Sequence, residues 1–193
     1  MRGKINLSLI SIVLSSMLFL GFKYETREGL DLIGKEAPEF SGLTWLNTKP
    51  LSIRGLRGKV VLIRFWLTGC PYCTKSAPSL VEFHRKYSAN GLVIIGIHHP
   101  KSKDTMSNDR VRKAADFLGF DFPIAQDMYW QTINSYWAGN KKRMFTSSSI
   151  LIDKRGIIRF VHDGGNYFRS DSDIEANAAF EAMEYNIIKL LNE

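Results

Sequence analysis

Residues 58–66, with the sequence GKVVLIRFW, form an almost continuous apolar and β-branched run. A strand with one solvated face alternates apolar and polar residues, whereas a continuous run is typical of a strand that is buried on both faces. Residues 92–98, LVIIGIH, have the same character. The sequence therefore predicts a sheet whose centre is covered by helices on both sides.

The remaining segments supply helices and shorter strands. Helices are predicted at residues 76–90, 109–120, 129–137 and 173–191. Shorter strands are predicted within residues 122–127 and on either side of a turn within residues 148–165, and a small hairpin at the domain edge is predicted at residues 43–53. This order of elements predicts an α/β fold with a mixed sheet.

The N-terminus is typical of an export signal. Arg2 and Lys4 precede an uncharged apolar stretch that runs to about residue 22, just long enough to span a bilayer. An uncleaved anchor is favoured over a removed signal peptide because no small-x-small cleavage site follows cleanly. The basic start predicts that the domain lies on the extracytoplasmic, periplasmic face of the membrane.

The predicted organisation is one domain behind this segment. We expect a signal anchor or signal peptide at residues 1–23, a linker at residues 24–33 and a single domain at residues 34–193. The formal net charge is +7, but the basic residues are scattered without a repeat or an aromatic-interleaved motif. Scattered charge is typical of a solvated surface, so we expect no nucleic-acid partner.

Both cysteines, Cys70 and Cys73, lie in residues 65–78, FWLTGCPYCTKSAP, directly after the first buried strand. At positions i and i+3 of a helix start, two thiols share one face and can form a disulfide. Pro71 suits the first helical position because it has no N–H to leave unpaired. The helix N-terminus lowers the pKa of the first thiol, so we predict Cys70 as the attacking thiol and Cys73 as the resolving thiol.

Three other uses of the pair remain open. A structural disulfide across so short a loop stabilises little, because the entropy removed from the unfolded chain grows with loop length. A copper or zinc carrier would need further ligands, and the four histidines are not at zinc-finger spacing. The third alternative is a partner-binding module in which the two cysteines have no chemical role.

Three stretches together resemble the thioredoxin fold: GKEAPEF at residues 34–40, the cysteine region at residues 56–80, and SSSILIDKRGIIRFVHDGG at residues 147–165. Within that fold the chain is similar to the TlpA-like extracytoplasmic thiol–disulfide oxidoreductases of the redoxin family. The resemblance covers about residues 34–192. It implies a four- or five-stranded sheet, dithiol–disulfide exchange with protein partners, a membrane or extracytoplasmic redox donor, and no cofactor beyond the cysteine pair.

Two residues depart from the thioredoxin pattern near the cysteines. Ser147, preceded by Thr146, occupies the position of the cis-proline; the bond between them is expected to be trans, because cis bonds are essentially confined to proline. Arg64 occupies the position of a buried aspartate six residues before Cys70. An arginine cannot serve as a base, so we expect Arg64 either in a structural ion pair or as a charge that stabilises the thiolate.

A third departure is Ser76, where many TlpA-like proteins have a glutamate. The nearest alternative proton acceptor is His98 or His99, at the end of the second buried strand. The aromatic residues Trp66, at the strand end, and Tyr72, between the cysteines, are expected to flank the site.

Overall fold

The computed structural model describes residues 24–101, 107–139 and 141–193. The predicted signal segment therefore lies outside the described residues. Within them, no helix is both long enough and apolar enough to cross a membrane.

The sheet that the described residues form has six strands, in the order β1-β4-β3-β2-β5-β6. The strands are Thr44–Trp45 (β1), Val60–Trp66 (β2), Leu92–His98 (β3), Ile124–Gln126 (β4), Ser149–Ile152 (β5) and Ile158–His162 (β6). Strands β2, β3 and β4 are parallel to one another, whereas β1, β5 and β6 run antiparallel to their neighbours. The predicted mixed sheet with a buried β2 and β3 is confirmed.

Four α-helices cover the two faces of the sheet within the described part of the chain: Pro71–Tyr87 (α1), Asn108–Phe117 (α2), Gln131–Tyr136 (α3) and Ile174–Asn192 (α4). Alternate residues of β2 enter separate apolar clusters. Leu62 packs in the cluster that contains residues of α1, α2 and α4, and Ile63 packs in the cluster that contains residues of α3. Helices therefore lie on both faces, as the continuous apolar run of β2 predicts.

The predicted hairpin at residues 43–53 is wrong. Only its first half is a strand, and β1 pairs with the free edge of β4. In the second half, the backbone N–H groups of Ile53 and Arg54 donate to the Glu39 carboxylate, both at 2.9 Å, and a 3-10 turn follows at Arg54–Leu56. Because these N–H groups are already bonded, they are not available to a strand ladder. The pairing of β1 with β4 also raises the strand number above the four or five that the resemblance implies.

Residues 24–28, which belong to the stretch expected as a linker, lie along β6. The Asp163 carboxylate, just after β6, accepts hydrogen bonds from the Tyr24 hydroxyl at 2.7 Å and from the backbone N–H groups of Arg27 at 2.8 Å and Glu28 at 3.1 Å. The Tyr24 ring stacks on His162 with 5.0 Å between centroids. We call residues 24–28 the N-terminal strap.

Candidate active site

Cys70 is the N-cap residue of α1. It follows β2 at the carboxyl end of the parallel strands, and its sulfur accepts a hydrogen bond from the Cys73 N–H at 3.4 Å. Pro71 occupies the first helical turn, where its missing N–H costs no hydrogen bond. The helix start thus aims backbone N–H groups at the Cys70 sulfur, as the sequence predicts.

The two thiols differ in exposure and in pKa. Both are free, Cys70 half-buried and Cys73 only 2% exposed. The hydrogen bond from the Cys73 thiol lowers the pKa of Cys70, and backbone N–H groups and the Arg64 charge lower it further against the effect of burial. The same hydrogen bond and burial raise the pKa of Cys73. Cys70 is therefore the thiol that becomes a thiolate first, and thiolates are the reactive nucleophiles.

Arg64 is buried in the layer beside the cysteines, with 1% of its surface exposed. Its Nη1 donates to Ser149 Oγ and its Nη2 to the Gly165 carbonyl, both at 3.2 Å. The guanidinium lies 5.3 Å from the centroid of the Tyr167 ring. Among the described residues, Arg64 has no carboxylate partner, so the ion pair that the sequence left open is not found there.

Tyr167 and Ser149 are site residues that the sequence does not single out. The Tyr167 hydroxyl lies 3.0 Å from Ser149 Oγ, and its backbone N–H donates to Ser76 Oγ at 3.1 Å. Ser76, which replaces an acid in the family pattern, is fully buried and binds this loop. For Ser149 the sequence offers one signal: this serine lies opposite Arg64 when β2 pairs with the neighbouring strand β5.

The loop before β5 approaches the cysteine motif through an aromatic contact. The rings of Phe145 and Tyr72 meet edge to face with 5.3 Å between centroids, and Tyr72 is 41% exposed. Ser147 is buried and Thr146 is half-buried, and the peptide bond between them is trans, as predicted. Tyr72 thus flanks an accessible surface, whereas Ser147 faces the interior.

Trp66 and the two histidines are buried behind the site rather than open to solvent. Trp66 is fully buried, and its ring meets His98 edge to face with 4.9 Å between centroids. Burial lowers the pKa of His98 to about 4 and that of His99 to about 3. His98 Nε2 lies 3.4 Å from Thr68 Oγ1, and in the described chain no hydrogen bond joins either histidine to a cysteine. Both imidazoles are neutral at neutral pH.

A cavity of about 330 Å³ adjoins the cysteine motif. Its walls include Tyr72, Phe145, His162, Gly164 and residues of the N-terminal strap. A partner that approaches Cys70 past Tyr72 therefore meets the strap and the loop after β6.

The described residues contain no cluster of three or more histidine, cysteine or acidic side chains that could hold a metal ion. The chemistry that the site can perform with its own residues is thiol–disulfide exchange, because one thiol is activated and accessible and the second lies one turn away.

Comparison with protein families gives a match to the AhpC/TSA family over residues 33–161. Among curated proteins, the chain is 37% identical to protein DipZ of Mycobacterium bovis over 136 residues, which is 68% of this chain and 19% of DipZ. The chain thus spans about a fifth of the length of that relative. It is 32% identical to the thiol-disulfide oxidoreductase ResA of Bacillus thuringiensis over 150 residues, 78% of this chain and 79% of ResA.

Among solved structures, a thiol-disulfide isomerase from Corynebacterium glutamicum has the same fold, with a TM-score of 0.64 and 28% sequence identity. The match covers 81% of this chain and 97% of that structure. The family match over residues 33–161 includes strands β1 to β5, the cysteine helix and the loop before β5.

Proposed function

Because the chain belongs to the AhpC/TSA family, we propose that it is a thiol–disulfide oxidoreductase that exchanges its Cys70–Cys73 dithiol or disulfide with protein partners. The observation that carries this proposal is the asymmetry of the pair. Cys70 is an N-cap thiol with a lowered pKa, and Cys73 is buried with a raised pKa.

Each thiol has one role in the exchange. The Cys70 thiolate attacks one sulfur of a partner disulfide, so that the partner S–S bond breaks, a mixed disulfide forms and the second partner sulfur leaves as a thiolate. Cys73 then gives up its proton, the departing partner sulfur being one acceptor, and attacks the Cys70 sulfur. The partner leaves as a dithiol and the protein holds the Cys70–Cys73 disulfide. The reverse sequence oxidises a partner dithiol.

Exposure of the surrounding side chains supports a protein partner. Tyr72 is accessible beside the N-cap sulfur, and the adjoining cavity opens along the strap and the loop after β6. An extended partner segment could lie across this surface with its cysteine against Cys70. Trp66, His98 and His99 support the site from behind through packing.

We further propose that residues 1–23 anchor the domain on the extracytoplasmic face of the membrane and that the partners or redox donors are found there. The basic start and the apolar stretch of that segment support this location. The test is to express the full chain in bacteria, wash the membranes with alkaline carbonate and treat spheroplasts with protease. Retention in the membrane with external digestion supports the anchor, and recovery in the cytosol contradicts it.

Turnover of a disulfide protein tests the activity itself. The reduced protein is expected to reduce insulin in the presence of dithiothreitol, and Cys70→Ser to lose that activity completely. Cys73→Ser is expected to accumulate a mixed disulfide, because the resolving thiol is missing. Equal residual activity in the two variants, or no turnover together with stoichiometric copper or zinc binding, would refute the proposal.

A further inference from the structure

Arg64 carries a charge that its surroundings only partly compensate. A guanidinium does not lose its proton in a protein, and a buried charge is costly unless it is paired. Within the described residues, Arg64 is bonded to one hydroxyl and one carbonyl, its Nε has no partner, and it makes no ion pair. A negative charge nearby would be strongly stabilised.

The strand geometry places this guanidinium on the face of the sheet that carries the cysteines. Side chains alternate along β2, so Leu62, Arg64 and Trp66 point to the same face. Leu62 and Trp66 belong to the apolar cluster that includes Cys73, and Cys70 packs at the edge of that cluster. Arg64 therefore enters the layer between the sheet and α1.

Tyr167 fixes the guanidinium relative to the cysteine helix. Its ring lies beside Arg64, while its backbone N–H binds Ser76 and its carbonyl accepts from Ser79 Oγ at 3.0 Å. Ser76 and Ser79 stand three and six residues after Cys73 on α1. The position of the charge is thus tied to the helix that holds both thiols.

Among the titratable groups of residues 24–101, 107–139 and 141–193 whose ionisation the Arg64 charge affects, the thiols alone can supply a negative charge at neutral pH. His162 at the end of β6 and His99 after β3 are neutral, because burial lowers their pKa values to about 3. The Arg64 charge is the second cause at His162, and at His99 it adds less than the charges of His98 and Lys101. Burial raises the pKa of Tyr167, so its phenol stays protonated. The charge of Arg64 also favours the ionised form of each cysteine.

We infer that Arg64 is the fixed counter-charge of the Cys70 thiolate and that it biases the cysteine pair towards the dithiol form. This inference rests on the proposed function. Ser149, Gly165 and Tyr167 are positioning residues, since they act by holding the guanidinium.

The redox consequence follows from charge balance. When the pair is oxidised, the thiolate is consumed and Arg64 is left without its counter-charge. The disulfide therefore accepts two electrons and one proton from a partner dithiol more readily, and the second partner proton goes to solvent. The partner becomes a disulfide. Relative to a neutral residue at this position, Arg64 therefore makes the Cys70–Cys73 disulfide a stronger oxidant of partner dithiols.

The test compares neutral and charged replacements of Arg64 in the full chain. Arg64→Gln keeps hydrogen-bonding capacity without charge, and Arg64→Met replaces the buried cation by an apolar side chain of similar length, a change that cores often tolerate. Arg64→Lys keeps the charge. Near-ultraviolet circular dichroism establishes that each variant is folded, and two readouts follow: the thiolate absorbance at 240 nm against pH, and the equilibrium with reduced and oxidised glutathione.

In the neutral variants the Cys70 pKa is expected to rise by about one unit, as for loss of one nearby opposite charge. The equilibrium constant for reduction of the disulfide is expected to fall about tenfold, which corresponds to ~30 mV. Arg64→Lys is expected to stay closer to the wild type than either neutral variant. An unchanged pKa and equilibrium constant in a folded neutral variant would overturn the inference and leave the proposed exchange standing. Failure of the wild type to turn over insulin would refute the proposed function but not the role of Arg64. The thiolate absorbance and the glutathione equilibrium measure the cysteine pair directly and do not depend on insulin turnover.

Discussion

The reactivity that we propose for Cys70 follows from the position of its sulfur atom. As the N-cap atom of α1, it receives a backbone hydrogen bond and the favourable end of the helix dipole, while the second thiol is buried one turn later. The Cys-Pro-Tyr-Cys spacing makes this difference predictable from sequence, because the helix start and the missing proline N–H depend on local residues alone.

Gly164, near the cysteine motif, is a position where no other residue fits without strain. Gly164 has φ of 132°, and a Cβ there would lie 2.2 Å from Phe145 Cβ. We predict that Gly164→Ala lowers the free energy of unfolding by about 3 kcal/mol, since overpacking adds to backbone strain. Phe145 would have to move, and with it the contact to Tyr72. Urea unfolding measures the loss.

The neighbouring glycine is the matched control for this substitution. Gly165 also has positive φ, 78°, but a Cβ there meets no atom within 4 Å. Gly165→Ala is expected to cost only about 1 kcal/mol, the strain of a left-handed alanine. Equal losses in the two variants would show that the Phe145 contact contributes nothing.

The surroundings of Arg64 illustrate what a single sequence does not reveal at this scale. The sequence marks Arg64 as a charge in an apolar strand, but Tyr167 and Ser76 come together only through tertiary packing of a loop on α1. No local spacing signals that contact, since the residues are 91 positions apart.

Among the elements, the N-terminal strap has the clearest dependence on one side chain. The Asp163 carboxylate accepts three hydrogen bonds, from Tyr24, Arg27 and Glu28. We predict that Asp163→Ala destabilises the domain by about 2 kcal/mol, because hydrogen bonds to a charged group contribute more than neutral ones. Hydrogen exchange followed by mass spectrometry is expected to show faster exchange in residues 24–33, while the strands keep their protection.

The control is Asp171→Ala, which removes an exposed aspartate from the loop before α4. It is expected to leave both the unfolding free energy and the exchange of residues 24–33 unchanged. If Asp163→Ala leaves that exchange unaltered as well, the strap does not depend on the carboxylate.

The main elements were predictable and one edge element was not. Buried strands and long helices carry their signals in periodicity, so β2, β3, α1 and α4 follow from the sequence. The prediction of a hairpin at residues 43–53 was wrong although the residues of its turn are typical of one. Glu39, from another segment, accepts hydrogen bonds from the N–H groups of Ile53 and Arg54, so these groups do not pair in a strand. Tertiary hydrogen bonds of this kind override local turn signals.

At the scale of the whole molecule, three buried histidines link stability to pH. Burial lowers the pKa values of His98 to about 4 and of His99 and His162 to about 3. The unfolded chain takes up protons near pH 6.5, whereas the folded protein does so only near those lower values. Between these limits the unfolded state binds more protons, so stability falls as pH falls.

We predict that the oxidised protein, in which the thiols do not titrate, loses up to about 4 kcal/mol of unfolding free energy per pH unit between pH 6 and pH 4. Urea unfolding across that range measures the slope. His99→Phe is the informative variant: in the described structure both ring nitrogens of His99 are unpartnered, so phenylalanine loses no hydrogen bond and removes one titrating group. Its slope is expected to be about one third smaller, and an unchanged slope would contradict this account.

The family and the fold class follow from the sequence, and both are confirmed by the family match and by the structural similarity. The central claim is that Cys70 is the activated nucleophile of an exchange pair. The most direct measurement is the rate of iodoacetamide alkylation at each cysteine of the reduced protein, resolved by mass spectrometry between pH 4 and pH 9. Rapid modification of Cys70, with a midpoint well below the free-thiol pKa of about 8.5, and protection of Cys73 is the predicted result. Equal rates at both cysteines with a midpoint near that value would contradict it.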